Sequence, residues 1–392
     1  MTEILLPRFM NVGGGSLNQI TQVLKKINCK RPFIITDKNM VKLEIIAPLL
    51  ENLKSSKIEF SVYDNTVPEP TSESLKEPVN ILQNKNFDCV IAFGGGSPID
   101  SAKAISVLAK FGGNIKNFKF PNIIEEGGVP IIAIPTTAGT GSEATKFTII
   151  TDEKTSEKML CVGSGFMPFA AIVDYELTLS VPSRISADTG IDALTHAIEA
   201  FVSKKSNYFS NSNAMTAMKM IAPNLRKVYK NGNDIKAREK LMTGSLLAGI
   251  AFSNSSVALV HGMSRPIGAS YHVPHGLSNA MLLPTVTEYS LSSAFSKYAI
   301  VAKTMDVADF NDSENIATKK LIKELYSLNI DLEVPSPEKY GIDENSFFDN
   351  IENVFYRGCA CRPCLKAIVF GFGNLNSASA PICEGTAVAS SR

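Results

Sequence analysis

The 392-residue chain has no run of about 20 apolar residues of the kind that spans a bilayer; its longest apolar segments are broken by Gly, Pro and Ser. By that test no membrane partner is expected. Excess charge is missing too, with 39 Lys and Arg against 38 Asp and Glu. Nothing electrostatic recommends nucleic acid or an anionic membrane surface, and small molecules are the expected partners. The opening stretch MTEILLPRFMNVGGGS carries neither the basic region nor the cleavage site of a secretory signal, so the cytoplasm is the expected compartment. There, the seven cysteines are expected to be reduced thiols rather than a disulfide framework. Histidine is scarce: only four occur, all between residues 196 and 275.

At 44% hydrophobic and 20% charged the chain is long enough to bury a large core and to form two domains. Short β-rich runs at 32–36, 58–64, 89–93 and 130–135 alternate with helical patterns, the signature of an α/β fold with a parallel sheet wound by crossovers. The runs near 33, 90 and 131 end in polar or glycine-rich sequence, where such a sheet binds its ligand. From about residue 180 helical periodicity dominates, over 185–203, 211–230, 235–252 and 314–328. The expected organisation is an N-terminal parallel-sheet domain, 1–180, an all-helical domain, 181–355, and an atypical tail, 356–392. In that tail patterning fails and Cys359, Cys361, Cys364 and Cys383 crowd together. The tail is expected to be poorly ordered, and its cysteine cluster carries no assigned function.

The run 89–93 leads into Gly94, Gly95 and Gly96 and then a helix, with Ser97 expected as N-cap, Pro98 as first helical residue and Asp100 completing the capping pattern. Glycines admit a phosphate to the backbone, and the helix start favours an anion. A tight turn without ligand would read the same way. After the next strand, IPTTAGTGSEAT brings the hydroxyls of Thr136, Thr137, Thr140 and Ser142 to the same edge. Asp37 closes the 32–36 strand, where a carboxylate accepts from ribose hydroxyls and disfavours a 2'-phosphate, or caps the following helix; the two roles are compatible.

Asp192 and His196, four residues apart, share one face of a helix. His261, and His275 in an expected loop after Pro274, could complete an Asp and three-His set suited to Fe(II), Zn(II) or a related divalent ion. A hydrogen-bonded core histidine is the plainer reading of each alone. His272 reads as a donor behind the ligands, a proton relay, or simply an exposed side chain.

The motifs GGGSPIDSAKA, IPTTAGTGSE, TGIDALTHAIEA, VHGMSRPIGA and VPHGLSNAMLLP, in this order, resemble the iron-containing alcohol dehydrogenase family, which includes lactaldehyde reductases and propanediol dehydrogenases. The resemblance covers about residues 1–355. It implies a dehydroquinate synthase-like fold, with a dinucleotide-binding domain, a helical metal domain and the active site between them. It implies metal ligation by Asp192, His196, His261 and His275, NAD contacts from Asp37, the 94–97 turn, Thr136, Thr137, Thr140 and Lys158, and a homodimer or larger homo-oligomer. It also implies that Phe252 lines the substrate cleft. The implied reaction passes a hydride between NAD(H) and a small primary alcohol or diol and its aldehyde. A glycerol dehydrogenase-like enzyme of the same fold and a catalytically silent metal- and NAD-binding protein are the alternatives. In one departure, many relatives carry H-x-x-x-H-P where this chain has Arg265 before Pro266, and arginine cannot act as a base near neutral pH. The tail is the other.

Overall fold

Six parallel strands form the sheet of the first half: β1 (Phe9–Val12), β2 (Pro32–Ile35), β3 (Ser61–Tyr63), β4 (Cys89–Gly94), β5 (Ile131–Pro135) and β8 (Ala170–Val173), in the order β1-β8-β5-β4-β2-β3. This is a computed structural model, and it describes residues 2–343. The expected tail and its cysteine cluster lie outside the described residues. Strands β2, β4, β5 and β8 are buried throughout, which is why they read as continuous apolar runs.

Side chains alternate between two cores. Phe33, Val90, Ala92, Ile131 and Ala133 face α4 (Lys76–Asn84) and α5 (Gly96–Phe111). Ile34, Ile91, Ile132 and Ile172 face α1 (Ile20–Lys26) and α3 (Ala47–Ser55). The short helix α2 (Lys38–Lys42) follows β2 directly.

Four strands went unanticipated: β1, β8 and the antiparallel pair β6 (Phe147–Asp152) and β7 (Glu157–Val162). Along β6 the inward positions include Thr148 and Asp152, so its apolar alternation is interrupted by buried polar residues. The expected strand over 58–64 contracts to Ser61–Tyr63 at the sheet edge.

The second half is helical: α6 (Ser183–Val202), α7 (Tyr208–Lys230), α8 (Ile235–Ser253), α9 (Leu259–Tyr271), α10 (His275–Ser290), α11 (Phe295–Thr304), α12 (Glu314–Asp331) and α13 (Pro337–Tyr340). Local signals start several of them. Asn207 and Ser210 form a reciprocal capping box on α7, Asp234 caps α8 through Ala237 N–H, and Ser313 caps α12 through Ile316 N–H. Helix α6 is buried on nearly every face from Gly190 to Phe201. Its polar residues Asp192, Thr195, His196 and Glu199 therefore need partners inside the protein. No helix among the described residues is long and apolar enough to cross a membrane.

The halves meet where the loop after β5 crosses α8. A Cβ on Gly249 would lie 2.7 Å from the Gly141 carbonyl oxygen and 2.8 Å from its Cα, so only glycine permits this backbone contact.

Candidate metal centre and nucleotide cleft

Two adjoining cavities are built from these elements. The first, about 420 Å³, opens at the carboxyl ends of β2, β4 and β5, and Asp37, Gly95, Gly96, Ser97, Thr136 and Thr137 line it. Gly94 has φ +145°, and a Cβ there would lie 2.7 Å from the Pro98 ring, so the turn requires glycine.

The cap of α5 differs from expectation. The helix begins at Gly96 with Gly95 as N-cap, which puts Ser97 inside the first turn and Asp100 a full turn in, where neither can cap. Ser97 Oγ instead accepts from Glu69 N–H at 3.2 Å. The Asp100 carboxylate accepts from Ser142 Oγ at 2.7 Å and Ile149 N–H at 3.1 Å.

Behind this turn the ammonium of Lys103, 0% exposed, donates to Ser142 Oγ, Thr145 O and Oγ1, and Phe147 O at 2.8–3.0 Å. Burial pulls its pKa down to about 8 despite Asp100 and Glu143 nearby, and burial pushes Glu143 up to about 7. Asp100 and Ser142 thus tie the two glycine-bearing loops together, and their polar atoms are used in doing so. Thr140 packs its methyl against Gly96, and its Oγ1 accepts from Ser142 N–H at 3.2 Å. Asp37 caps α2, accepting from Asn39 and Met40 N–H at 2.8 and 3.3 Å, and borders the cleft as well. Lys158 on β7 pairs with Glu69 at 2.7 Å; it does not line the cleft, and its charge lies near enough to His275 to help lower that group.

The second cavity, about 180 Å³, lies between the β6–β7 pair and helices α6, α8, α9 and α10. Ligand atoms of Asp192, His261 and His275 converge there within 4.8 Å of one another. His275 is the first residue of α10, not part of a loop, because Pro274 starts that helix. His196 stands beside the group, its ring stacked between Phe252 at 4.2 Å and His261 at 4.3 Å, with Nδ1 4.0 Å from the Asp192 carboxylate. Its Nδ1 is buried without a hydrogen-bond partner. Phe252 also stacks on Phe147. His272 is exposed at the end of α9 with φ +54°, does not line this cavity, and is not brought together with the other histidines.

Two residues that sequence reasoning missed hold this group. Glu199, one turn beyond His196 and two beyond Asp192, accepts from Val260 N–H and pairs with His261 Nδ1, both at 2.6 Å, so that His261 Nε2 faces Asp192. The amide nitrogen of Asn279 contacts Asp192 Oδ1 at 2.6 Å, His261 Nε2 at 3.1 Å and His275 Nε2 at 3.2 Å. The i, i+4 spacing of His275 and Asn279 was the available signal for the second. Ser264 Oγ meets the other nitrogen of His275 at 3.2 Å, which directs Nε2 inward.

Electrostatics follow from this packing. Burial raises the Asp192 carboxyl, but the surrounding imidazoles outweigh it and hold the group well below the usual carboxylate range. Burial lowers His196 to about 4 and His275 to about 3, so both are neutral near pH 7. Burial also lowers His261, but Glu199 and Asp192 overcome it and lift the group to about 9. The Asp192 carboxylate and the neutral imidazole of His275 converge with His261, whose Nε2 gives up its proton when it ligates, and such a set is what a divalent ion of the iron or zinc type needs. The residues fit such an ion, and the unpartnered His196 Nδ1 adds a further donor at its edge.

Comparison with known proteins agrees in both halves. The family model for iron-containing alcohol dehydrogenase matches residues 7–175, and the C-terminal model of the Fe-containing alcohol dehydrogenase family matches residues 186–361. Long-chain-alcohol dehydrogenase 1 of Geobacillus thermodenitrificans is 37% identical, covering 88% of each chain. NAD-dependent methanol dehydrogenase of Bacillus methanolicus is 32% identical, covering 92% of this chain and 94% of its own. The crystal structure of a 1,3-propanediol oxidoreductase superposes with a TM-score of 0.90 at 30% identity, covering 95% of this chain and all of that one. With the glycine turn, the buried carboxylate–imidazole group and both halves matched, the chain belongs to the iron-containing alcohol dehydrogenase family.

Proposed function

We propose that this alcohol dehydrogenase passes a hydride between NAD(H), bound in the glycine-lined cleft by residues of 1–180, and a small primary alcohol or diol and its aldehyde in the adjoining cavity. Asp192, His196, His261 and His275 would hold the metal, Fe(II) with Zn(II) as the alternative. The observation that carries this reading is the convergence of Asp192, His261 and His275 beside a cleft that opens at the strand ends.

A divalent ion there supplies Lewis acidity toward the substrate oxygen, and NAD supplies the hydride acceptor. The chain's own residues supply placement. Gly95 and Gly96 leave backbone open to a pyrophosphate, and Asp37 offers its carboxylate to ribose hydroxyls while disfavouring a 2'-phosphate. Phe147 and Phe252 cover one wall of the cavity and limit water. Glu199 fixes the tautomer and direction of His261. Because His272 is exposed and away from the cavity, the proton released from an alcohol leaves through water rather than through that imidazole.

The test is NADH formation from 1,3-propanediol and short primary alcohols by protein reconstituted anaerobically with Fe(II) or Zn(II). Turnover should vanish with chelator and in His261→Ala. Unaltered turnover in both would remove the metal from the reaction; no turnover by metal- and NAD-loaded protein would favour a silent binding protein.

A further inference from the structure

The second cavity contains a cation that forms no ion pair with the carboxylates of the site, although the charge of Glu199 lies near enough to favour it. Arg265 lines it from α9, with Nε buried and without a hydrogen-bond partner. Among the described residues its guanidinium makes no ion pair. The nearby carboxylates are committed elsewhere: Glu199 to Val260 N–H and His261, Asp100 to Ser142 and Ile149, Asp192 to Asn279. An arginine keeps its charge even where burial opposes it, as it does here. Arg265 is half-buried, and a charge partly withdrawn from water without an ion-pair partner carries a cost that is offset when a ligand brings the counter-charge. Phe147, Ile149, Leu160, Phe252 and Val257 give the wall an apolar part suited to a short carbon chain, beside hydroxyl-bearing residues such as Ser256 and the histidine group.

We propose that Arg265 makes this cavity select small alcohols and aldehydes that carry a compact anionic oxyacid group, a carboxylate or sulfonate, at the end remote from the reacting carbon. The inference rests on the dehydrogenase reading and narrows its substrate class. In the oxidative direction the CH₂–OH carbon of such a hydroxy acid gives its hydride to NAD⁺ and its hydroxyl proton to water. The products are the corresponding aldehyde acid and NADH. The anionic group stays unchanged on the guanidinium, where a bidentate contact sets the orientation of the chain.

The test begins with binding, independent of turnover. Metal-free protein is titrated by calorimetry with 3-hydroxypropionate, with isethionate as the sulfonate probe, and with 1-propanol as the neutral control. The anions should bind about tenfold or more tightly than 1-propanol, and Arg265→Gln should erase that margin, whereas Arg265→Lys should keep part of it. Circular dichroism checks that each variant is folded; if Arg265→Gln is not, Arg265→His takes its place. Equal binding of anion and neutral control, or a margin untouched by the substitutions, overturns the inference. So does a loss of NADH affinity with the margin intact, which would reassign Arg265 to the coenzyme. In the reconstituted enzyme the same ranking should appear in kcat/KM. Anion selectivity in binding without turnover of any alcohol would sink the dehydrogenase reading while leaving the anion site standing.

Discussion

At the scale of single residues, the metal group depends on side chains that would not touch the ion. Glu199 is buried on α6, and its two oxygens are spent on Val260 N–H and His261 Nδ1. Such carboxylate–histidine pairs fix the ring and strengthen the other nitrogen as a donor. Glu199→Gln keeps the shape but weakens the pair, and metal affinity should fall by about 10- to 100-fold. Competition with a coloured chelator measures it, and an unchanged affinity would return Glu199 to a packing role. This residue was hidden in the sequence because a glutamate in the last turn of a helix reads as a solvated face. Only the burial of α6 on nearly every side reveals that it must be paired.

At the scale of elements, the site exists because loops and helices approach more closely than side chains permit. The loop carrying Thr140 and Ser142 lies against α8 at Gly141 and Gly249, backbone on backbone. A methyl at 249 has no flexible neighbour to displace. Gly249→Ala should therefore destabilise the protein by about 1–3 kcal/mol, read as a lower urea midpoint with unchanged slope. An unchanged midpoint would mean that the loop is free to move away from α8. Helix positions were legible: four expected helices correspond to α6, α7, α8 and α12, since their periodicity and caps are local. The α5 cap was misjudged because Ser97-Pro98-x-Asp100 satisfies a capping pattern. The chain instead turned two residues earlier, on the freedom of Gly94, and spent Asp100 on bracing the next loop. The β6–β7 pair escaped notice because its buried face contains Thr148 and Asp152.

At the scale of the whole molecule, the carboxylate–imidazole group draws on three helices distant in sequence, α6, α9 and α10, and, if it holds the proposed ion, binding should stabilise their packing together. A ligand bound only by the native state adds about 2.7 kcal/mol when present at 100 times its dissociation constant. Thermal unfolding of Fe(II)-loaded protein should thus lie above that of chelated protein, and the difference should vanish in His261→Ala. Coincident curves for loaded and chelated wild type would argue that the ion does not bind the native fold.

The sequence by itself determined the alternation of strand and helix in the first half, the helical second half, the glycine turn, and the identity of Asp192, His196, His261 and His275 as a group, because these are written in local period, local geometry and scarce residue types. Tertiary structure alone decided that Asp192, His261 and His275 share one point while His196 stands beside them and His272 faces outward. It also decided that Glu199 and Asn279 orient the group and that Arg265 forms no ion pair among the described residues. Those outcomes depend on which buried polar atoms meet across helices far apart in the chain, and hydrogen-bond partnership at that range leaves no periodic trace in the residues that take part.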